Sequence, residues 1–356
     1  MAVSNTYSAE VLKSFAIALL EAAGAPSENA AIVAEALVDA DSEGLPSHGL
    51  LHLPMYLARI AGGSVDPSAT GEIAIDQGAR LTLDAGNGLG QVTAEAACEI
   101  AIARADTHGI ALVAVRNAFH FGAAGRFARR IALSGQIGIV MANTRPMLPA
   151  PGGMEAVVGN NPLAIAVPTK GEPIVLDFAM SAGAMGKIRL AAGQGEPIPE
   201  GWAQTAQGLP TRDALEALKG TLLPAAGAKG FGLALMIDLI AGGLSGGGMG
   251  EAVQPLYGDM ARPYDSANLF LAIRIDGLRP RAEFEAAASG LADRVRTSRI
   301  APGAPAIRIP GDRAAQARQG FGGLTSLGED TLEALRSHAR RLGVTIPAAL
   351  ADAGVK

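Results

Sequence analysis

Two neighbouring side chains, Ser47 and His48, occupy a short stretch in which proline and glycine interrupt a helical pattern. The stretch reads Gly44-Leu45-Pro46-Ser47-His48-Gly49 and directly follows a helix-like segment over residues 30–40. A side chain at the junction of a helix and a loop combines a fixed backbone with an accessible tip. Because imidazole titrates near neutrality, it can donate and regain a proton at working pH. We therefore predict that His48 is a proton donor in catalysis.

A second imidazole, His52, follows one helical turn after His48, so both rings are expected to face the same cleft. Two histidines without a third ligand in motif spacing do not make a typical metal site, and we predict none. Ser47 beside His48 does not indicate a hydrolase, because sequence neighbours rarely face each other and no G-x-S-x-G elbow is present.

A glycine- and alanine-rich segment, His120-Phe121-Gly122-Ala123-Ala124-Gly125, lies between a predicted strand and a predicted helix. Its bare backbone would present unpaired N–H groups at the positive end of a helix dipole, which suits a pyrophosphate. His120 is expected to face the substrate or, alternatively, to be a hydrogen-bonded structural histidine. The earlier Gly86-Asn87-Gly88-Leu89-Gly90 stretch lacks the G-x-G-x-x-G spacing, so a structural turn is favoured there.

Two cationic segments also suit phosphate groups. Lys229-Gly230 begins an apolar helical run, where the lysine would add charge to exposed helix N–H groups. Arg308 and Arg313 flank the turn Pro310-Gly311-Asp312, which can reach an adenosine ribose or its phosphate. Solvated surface cations are the alternative interpretation of both segments.

Composition favours a large globular protein that binds a small molecule. The chain has 356 residues, 49% of them hydrophobic and 18% charged, so a sizeable core and roughly two domains are expected. A net charge of −5 without long Lys/Arg runs disfavours a nucleic-acid partner. The single cysteine, Cys98, excludes an intrachain disulfide, and its apolar surroundings predict plain packing. No uncharged apolar run reaches the roughly 18 residues that span a bilayer, which predicts a cytoplasmic protein with no membrane partner.

The elements that must hold these residues alternate between helices and strands. Helical periodicity predicts two helices over residues 8–43, capped by Ser8 and Ser27, and a third after the 44–49 loop. Strand–helix–strand alternation from residue 73 onward indicates an α/β domain. Residues 190–228, rich in Gly and Pro, are interpreted as a long functional or mobile loop. The other predicted strands cover residues 73–75, 81–83, 111–115, 137–142, 163–167, 174–177, 269–275 and 307–309, and the other predicted helices cover 90–104, 123–134, 230–240, 281–297 and 328–342.

Several stretches, in order over nearly the whole chain, resemble one known family. They are Pro46-Ser47-His48-Gly49 with Leu53-Pro54 and Tyr56, residues 84–91 (DAGNGLGQ), residues 117–125 (NAFHFGAAG), Gly159-Asn160-Asn161-Pro162, Asp177-Phe178-Ala179-Met180-Ser181, Gly186-Lys187-Ile188, residues 198–202 (IPEGW), residues 229–235 (KGFGLAL) and Ile309-Pro310-Gly311. The ordered set resembles the malate/L-lactate dehydrogenase family of the non-Rossmann type. That family also includes ureidoglycolate dehydrogenase, diketogulonate reductase and the piperideine/pyrroline-2-carboxylate reductases.

The resemblance implies a fold and an assembly. It implies an α/β protein with a non-Rossmann, mixed-sheet nucleotide-binding domain and a helical domain formed from both chain ends. The corresponding boundaries are residues 1–72 with 305–356 for the helical domain and 73–304 for the α/β dinucleotide-binding and substrate domain. Family members are dimers or larger assemblies, so a homodimer is expected.

The resemblance also implies roles for individual residues. His48 resembles the general acid that protonates a carbonyl or imine, with Ser47 orienting it, and His120 matches a position with a catalytic or cofactor role. Lys187 matches a catalytic position that is acidic in the cyclic-imine reductases, which argues against that branch. The implied contacts of the dinucleotide, NAD or NADP, are His120, Phe121, Gly122, Ala123, Ala124, Thr144, Asp177, Phe178, Ala179, Lys229, Gly230, Arg308, Pro310, Gly311, Asp312 and Arg313.

One departure from the family affects the substrate. His52 stands where many members carry an arginine that holds the substrate carboxylate, and histidine is a weaker, pH-dependent partner. We predict that His52, Tyr56 and Asn160 line the substrate site. The predicted reaction is hydride transfer between NAD(P)H and a 2-oxo or 2-hydroxy acid. The alternatives are a cyclic imino acid reductase and a catalytically idle dinucleotide-binding protein.

Overall fold

Strands and helices alternate along this computed structural model, which describes residues 4–320 and 322–351. The strands are β1 Ser4–Ser8, β2 Glu72–Asp76, β3 Arg80–Asp84, β4 Ile110–Ala118, β5 Gln136–Ala142, β6 Leu148–Pro149, β7 Ala156–Val158, β8 Leu163–Val167, β9 Ile174–Phe178, β10 Ala203–Gln204, β11 Pro210–Thr211, β12 Thr221–Leu222, β13 Ser266–Arg274 and β14 Leu324–Gly328. The helices are α1 Ala9–Ala22, α2 Ser27–Ser42, α3 Leu53–Ala61, α4 Gly90–His108, α5 Ala124–Leu133, α6 Met185–Gln194, α7 Ala214–Lys219, α8 Ala228–Asp238, α9 Arg281–Arg296, α10 Asp312–Gly320 and α11 Glu329–Leu342.

The largest sheet has seven strands in the order β2-β3-β4-β13-β5-β8-β9. β3 and β4 are parallel and are joined by α4, whereas every other neighbouring pair is antiparallel. β13 comes from a distant part of the chain and lies between β4 and β5. The predicted mixed sheet of non-Rossmann type is therefore confirmed.

The helices near the N-terminus pack into a first hydrophobic core. α1 buries the predicted stripe, which includes Leu12, Phe15 and Leu19, and α11 contributes Leu332 and Leu335 to the same core. Each fully buried side chain of this size contributes about 1.5 to 3 kcal/mol through the hydrophobic effect. Helices from both ends of the chain thus share one core. The domain boundaries at residues 72 and 305 stay a prediction. Residues 352–356 of the predicted helical domain lie outside the described ranges.

A second core lies between the large sheet and the helices α4 and α5. Cys98 is fully buried within it, which confirms the packing role predicted for the thiol. Gly109 ends α4 in the left-handed conformation, with φ of 84°, which glycine adopts without strain. This core holds the end of β4 in place, where the chain continues into His120.

The prediction of a long loop over residues 190–228 is wrong. The segment contains the end of α6, the helix α7 and a three-stranded sheet in the order β11-β10-β12. These elements pack with α8 around a third core that includes Ile188, Ile198 and Leu222. Strands of two residues are too short for an alternating pattern to be visible, so glycine and proline dominate the sequence signal.

Other local predictions also need correction. Residues 307–309 form no strand, although the backbone N–H of Val175 donates to the carbonyl of Pro310 at 3.3 Å. Ser27 is the first residue of α2 and makes no side-chain cap. The helix α10 and the antiparallel pair β1–β14 were not predicted. Within the described ranges, no helix is long and apolar enough to cross a bilayer.

Candidate active site

The backbone around His48 forms two single-turn 3₁₀ helices, Pro46–His48 and Leu50–His52, directly before α3. His52 thus precedes α3, whereas the sequence predicted that it lay on the helix itself. Asp41 of α2 fixes these turns, since its carboxylate accepts a hydrogen bond from the N–H of Leu50 at 2.8 Å. Gly49 is required beside it, because a Cβ there would lie 2.1 Å from the Asp41 carboxylate. Burial raises the pKa of Asp41 to about 7.

His48 lies at the edge of the cluster, half-buried, with Ser47 beside it. The Oγ of Ser47 lies 3.0 Å from Nδ1 of His48, so the two neighbours do interact and Ser47 can orient the ring. The His48 ring lies 6.4 Å from the His120 ring, with an interplanar angle of 19°. Burial lowers the pKa of His48 below its ordinary value, so the ring is neutral at pH 7.

His52 is buried, and both of its ring nitrogens are already hydrogen-bonded. Nε2 lies 2.7 Å from the carbonyl oxygen of Ser47, and Nδ1 lies 2.8 Å from the hydroxyl of Tyr257. Since a carbonyl only accepts, Nε2 carries the proton and Nδ1 accepts from the tyrosine. Burial, together with the nearby His48, lowers the pKa of His52 to about 4. The side chain is therefore neutral and has no free donor, and its contact with the substrate stays a prediction.

His120 has its orientation set by Tyr56, as only the folded chain reveals. The Tyr56 hydroxyl lies 2.7 Å from Nδ1 of His120 and receives a hydrogen bond from Nε2 of Gln91 at 2.9 Å. The tyrosine has one proton and two acceptors, Nδ1 of His120 at 2.7 Å and the carbonyl oxygen of His120 at 3.2 Å. The shorter contact favours donation to Nδ1, which places the ring proton of His120 on Nε2. Burial, aided by the two nearby histidines, lowers the pKa of His120 well below its ordinary value. Tyr56 is fully buried and contacts His120, and its predicted contact with the substrate stays a prediction.

Arg59 of α3 fixes the loop that carries Tyr257. Its guanidinium is fully buried and donates to the backbone carbonyls of Pro255, Leu256 and Arg262 at 2.8 to 3.1 Å. A buried charge is tolerated when its donors are satisfied in this way. Neither Arg59 nor Tyr257 was predicted, because their partners lie about 200 positions apart in the sequence, as the separation of 197 between Arg59 and Leu256 illustrates.

The helix α6 lies beside the histidine cluster and carries two exposed cations. A Cβ on Gly186 would lie 3.9 Å from the Cβ of Ser47, which places the first turn of α6 next to the predicted catalytic stretch. Lys187, predicted to be catalytic, has its Nζ 5.9 Å from the centre of the Trp202 ring. Arg189 was not predicted, and its guanidinium lies 5.9 Å from the centre of the Tyr257 ring.

Thr144 and Asn160 form one hydrogen-bonded unit at the end of β5. The Thr144 hydroxyl donates to Oδ1 of Asn160 at 3.0 Å and accepts from the Asn160 backbone N–H at 3.1 Å. Asn161 beside them is buried and links this unit to the carbonyl of Ala234 in α8. Gly159 is needed for this approach, since a Cβ there would lie 2.2 Å from Oδ1 of Asn161. These predicted cofactor and substrate residues thus lie together.

The segment predicted to bind pyrophosphate leads into the N-terminus of α5. Gly122 has φ of 83°, which favours glycine, whereas the Phe121 side chain is buried in the second core. The Asp177 carboxylate accepts a hydrogen bond from the N–H of Gly125 at 2.8 Å, so one predicted anion-binding N–H is already used. Asp177 keeps solvent contact, yet the surrounding protein raises its pKa to about 6. Phe178 is exposed and Ala179 half-buried at the end of the same strand.

The remaining predicted cofactor residues lie in two places. Lys229 is exposed in the first turn of α8, as predicted, and Gly230 is buried behind it. A Cβ on Gly230 would lie 2.1 Å from the carbonyl of Ala225, so the glycine permits a close turn. The turn at 308–313 borders a cavity of about 390 Å³ that Arg308 and Asp312 help to line. Pro310, Gly311 and Arg313 belong to the same turn, and Gly311 has φ of 92°.

The cavity at this turn fits half of a dinucleotide. Its volume is in the range of small-ligand pockets, which begins at about 300 Å³. Its lining combines the apolar Ile307 with the cations Arg296 and Arg308 and the acceptor Asp312, which suits a heterocycle joined to a hydroxylated or phosphorylated sugar. Arg296 and Asp312 already form an ion pair at 2.7 Å. In the described ranges, no group of three His, Cys, Asp or Glu side chains is placed to hold a metal ion.

Neutral histidines whose Nδ1 atoms are hydrogen-bonded within the protein are suited to moving a proton during hydride transfer. The same α/β protein has a cavity that fits half of a dinucleotide. Comparison with known proteins leads to the same class of protein. The chain belongs to the malate/L-lactate dehydrogenase family, whose model matches residues 7–322. The predicted family is thus confirmed, and with it the general reaction, hydride transfer between NAD(P)H and a 2-oxo or 2-hydroxy acid.

Named relatives match the chain over most of its length. Malate dehydrogenase of Pyrococcus abyssi is 37% identical over 344 residues, which cover 94% of this chain and 94% of that protein. The (2R)-3-sulfolactate dehydrogenase (NADP(+)) of Chromohalobacter salexigens is 37% identical over 276 residues, or 75% of this chain and 83% of the relative. The solved structure of sulfolactate dehydrogenase from Methanocaldococcus jannaschii superposes with a TM-score of 0.91 at 33% identity and covers 96% of this chain and 98% of its own.

Proposed function

We propose that this protein is a nicotinamide-dependent dehydrogenase that interconverts a 2-hydroxy acid and a 2-oxo acid, with His48 and His120 as its proton-handling groups. The observation that carries the proposal is the hydrogen bonding of the two rings. Each uses Nδ1 for a hydroxyl of the protein, Ser47 for His48 and Tyr56 for His120. In both rings, Nε2 is then the nitrogen that can exchange a proton with a substrate.

His48 is the proposed general acid in the direction of reduction. In its protonated form, the imidazolium, His48 donates the Nε2 proton to the substrate carbonyl oxygen and becomes neutral, and the neutral ring takes the proton back from the hydroxyl during oxidation. His120, more deeply enclosed and held by Tyr56, offers a second N–H to the same oxygen. Burial lowers the pKa of both rings, so the neutral form that accepts a proton dominates at pH 7. The rate of reduction should therefore fall as the pH rises through the His48 pKa, and the rate of oxidation should rise.

The dinucleotide gives or receives the hydride at the carbonyl carbon when it is bound. The backbone of residues 120–124 and Lys229 would hold its pyrophosphate, and the cavity at the 308–313 turn would hold its adenosine. Gly125 is excluded from that role because Asp177 occupies its N–H. Thr144 and Asn160 form the unit proposed to contact the nicotinamide side and the substrate.

Two residues that line the proposed adenosine cavity bear on the choice between NAD and NADP. Arg308 lines it and suits a 2′-phosphate, while Asp312 suits free ribose hydroxyls. Asp312 is already paired with Arg296, which leaves Arg308 as the more available of the two groups. Titration of the protein with NADH and NADPH, and with the variant Arg308→Ala, measures the preference directly.

A homodimer is part of the proposal. The helix α8 and its continuation expose Leu233, Met236 and Leu239, three positions apart, together with Leu244 and Met249, each more than 40% exposed. An apolar stripe of this kind on a helix face is typical of a protein–protein contact. Light scattering of the wild-type protein and of Leu239→Asp should give a dimer and a monomer, respectively.

The function is tested with a panel of substrates. Pyruvate, oxaloacetate, 3-sulfopyruvate and piperideine-2-carboxylate are each supplied with NADH and with NADPH, and nicotinamide absorbance is followed. Turnover with at least one 2-oxo acid is the expected result. Turnover with the cyclic imine alone would favour the imino acid reductase, against which Lys187 argues. Dinucleotide binding without turnover of any compound would identify an idle binding protein.

A further inference from the structure

A 2-oxo acid carries a carboxylate next to its reacting carbonyl, and that charge needs a cationic partner. The three clustered histidines do not provide one. Both nitrogens of His52 are occupied, and burial keeps the rings of His48 and His120 neutral at pH 7. The partner must therefore come from another element beside the cluster.

Arg189 of α6 is a cation placed beside this cluster. Its guanidinium lies 5.9 Å from the ring centre of Tyr257, whose hydroxyl lies 2.8 Å from Nδ1 of His52. His52 in turn lies 4.8 Å, ring centre to ring centre, from His120. The positive charge of Arg189 also helps to lower the pKa of His52, which reflects their proximity.

The geometry of α6 directs Arg189 toward the predicted catalytic stretch. Gly186 lies three positions earlier and approaches Ser47, since a Cβ on it would be 3.9 Å from the serine Cβ. Residues three apart share one face of a helix, so Arg189 lies on the face that meets the cluster. Lys187, one position after Gly186, lies over Trp202 instead.

Arg189 also has no acidic partner among the described residues. Arg126, Arg129 and Arg318 each form ion pairs with carboxylates, whereas none is found for Arg189 among the described residues. Its side chain is exposed, so a planar guanidinium with five donors is free to bind an anion. The aromatic ring of Tyr257 beneath it fixes its position through a cation–π contact.

We infer that Arg189 binds the carboxylate of the 2-oxo or 2-hydroxy acid and selects for acids over uncharged carbonyl compounds. This inference rests on the proposed function for the identity of the substrate. It assigns the charge-binding role to α6, and it leaves proton transfer to the histidines.

The test combines kinetics with binding. Wild type, Arg189→Met, Arg189→Lys and the surface control Arg80→Met are assayed with the preferred 2-oxo acid and with its methyl ester. Losing a charged hydrogen bond should lower kcat/KM for the acid by about 10- to 100-fold in Arg189→Met, mainly through KM. The ester should be affected less than about threefold, Arg189→Lys should retain part of the preference, and Arg80→Met should match wild type.

A binding measurement separates this inference from the proposed function. Oxamate, a carboxylate that mimics pyruvate, is titrated by calorimetry into each variant in the presence of NADH and, in parallel, of NADPH. Weaker binding to Arg189→Met supports the anchor even if no 2-oxo acid is turned over, in which case the proposed function alone fails. Equal oxamate binding in wild type and Arg189→Met, no binding to either, or an equal loss of acid and ester turnover would overturn the inference.

Discussion

The two sides of the candidate active site differ in how far their polar atoms are satisfied. On the histidine side, the protein itself supplies hydrogen bonds to Nδ1 of all three rings. On the α6 side, Lys187 and Arg189 face aromatic rings and have no carboxylate partner among the described residues. A side chain whose polar atoms are hydrogen-bonded to the protein can be held in one protonation state and orientation. A side chain whose polar atoms have no such partner can bind a ligand. The difference suggests a division of labour, with proton transfer on one side and charge recognition on the other.

Replacing His48 tests the proton-transfer side most strongly. His48→Ala should lower kcat by about 10² to 10⁴, the usual loss for a missing general acid, and leave KM nearly unchanged. Steady-state kinetics with the preferred substrate measure this. Wild-type reduction should also slow as the pH rises through the His48 pKa, below 6.5, and that dependence should vanish in the variant. Most of the turnover surviving in His48→Ala would remove His48 from the mechanism.

Replacing Arg59 tests whether buried hydrogen bonds hold the loop of Tyr257. Arg59→Met leaves the carbonyls of Pro255, Leu256 and Arg262 without their donor, which should cost roughly 3 to 5 kcal/mol of stability. Urea denaturation followed by circular dichroism measures the loss. The surface variant Arg80→Met serves as the control and should change stability by less than about 0.5 kcal/mol. An Arg59→Met protein as stable as wild type would show that the loop is held by other contacts.

Replacing Asp41 tests how the charge of this buried carboxyl, which holds the turns that carry His48, affects the stability of the protein at different pH values. Burial raises the folded-state pKa of Asp41 to about 7, above the unfolded value of about 3.9, so ionisation opposes folding. This group therefore lowers stability as the pH rises from about 4 to 7. Asp41→Asn should exceed the stability of wild type by roughly 1.5 kcal/mol at pH 5 and by roughly 4 kcal/mol at pH 8, in urea denaturation at both values.

The contrasting variant Asp41→Ala distinguishes charge from hydrogen bonding. It removes the acceptor for the N–H of Leu50 and should destabilise the protein at pH 5, where wild-type Asp41 is protonated. A stability difference between wild type and Asp41→Asn that is the same at pH 5 and pH 8 would show that Asp41 has an ordinary pKa.

Replacing Tyr56 gives the smallest expected effect and tests the tautomer of His120. Tyr56→Phe keeps the ring but leaves Nδ1 of His120 and Nε2 of Gln91 without their shared partner. Activity should fall about 10-fold, as for other residues that orient a functional imidazole. The imidazole ¹⁵N shifts of His120 by NMR should change from a single tautomer in wild type to a mixture. Unchanged shifts would mean that another contact fixes the ring.

Much of the fold was predictable because its helices and strands are long and periodic. The stripe of α1 and the strand β5 were predicted from apolar spacing alone, and β5 alternates in burial along its whole length. The helix α6 and the short strands β10 to β12 were missed, because glycine and proline mask weak patterns in short elements. The position of β13 between β4 and β5 could not be predicted either, because local sequence carries no information on strand order.

The candidate site was predictable in its residue types but not in its roles. The stretches around residues 48, 120 and 160 were identified in advance, and the structure brings His48, His52 and His120 together. His52 and Tyr56, which are predicted to bind substrate, also make hydrogen bonds within the protein that the sequence did not reveal. Arg189 was not predicted, because the sequence does not distinguish a single exposed arginine in a glycine-rich segment from any other solvated cation.

The sequence by itself determined where imidazoles and amphipathic helices occur, since both depend on residue type and spacing along one element. The tertiary structure decided which partners the ring nitrogens have, and that Arg189 lies beside the histidine cluster without a carboxylate partner among the described residues. Those properties depend on burial and on neighbours distant in the chain, such as Tyr257, which is 205 positions from the His52 that it contacts. Only the folded chain brings such groups within hydrogen-bonding distance and removes the water that would otherwise set their pKa values.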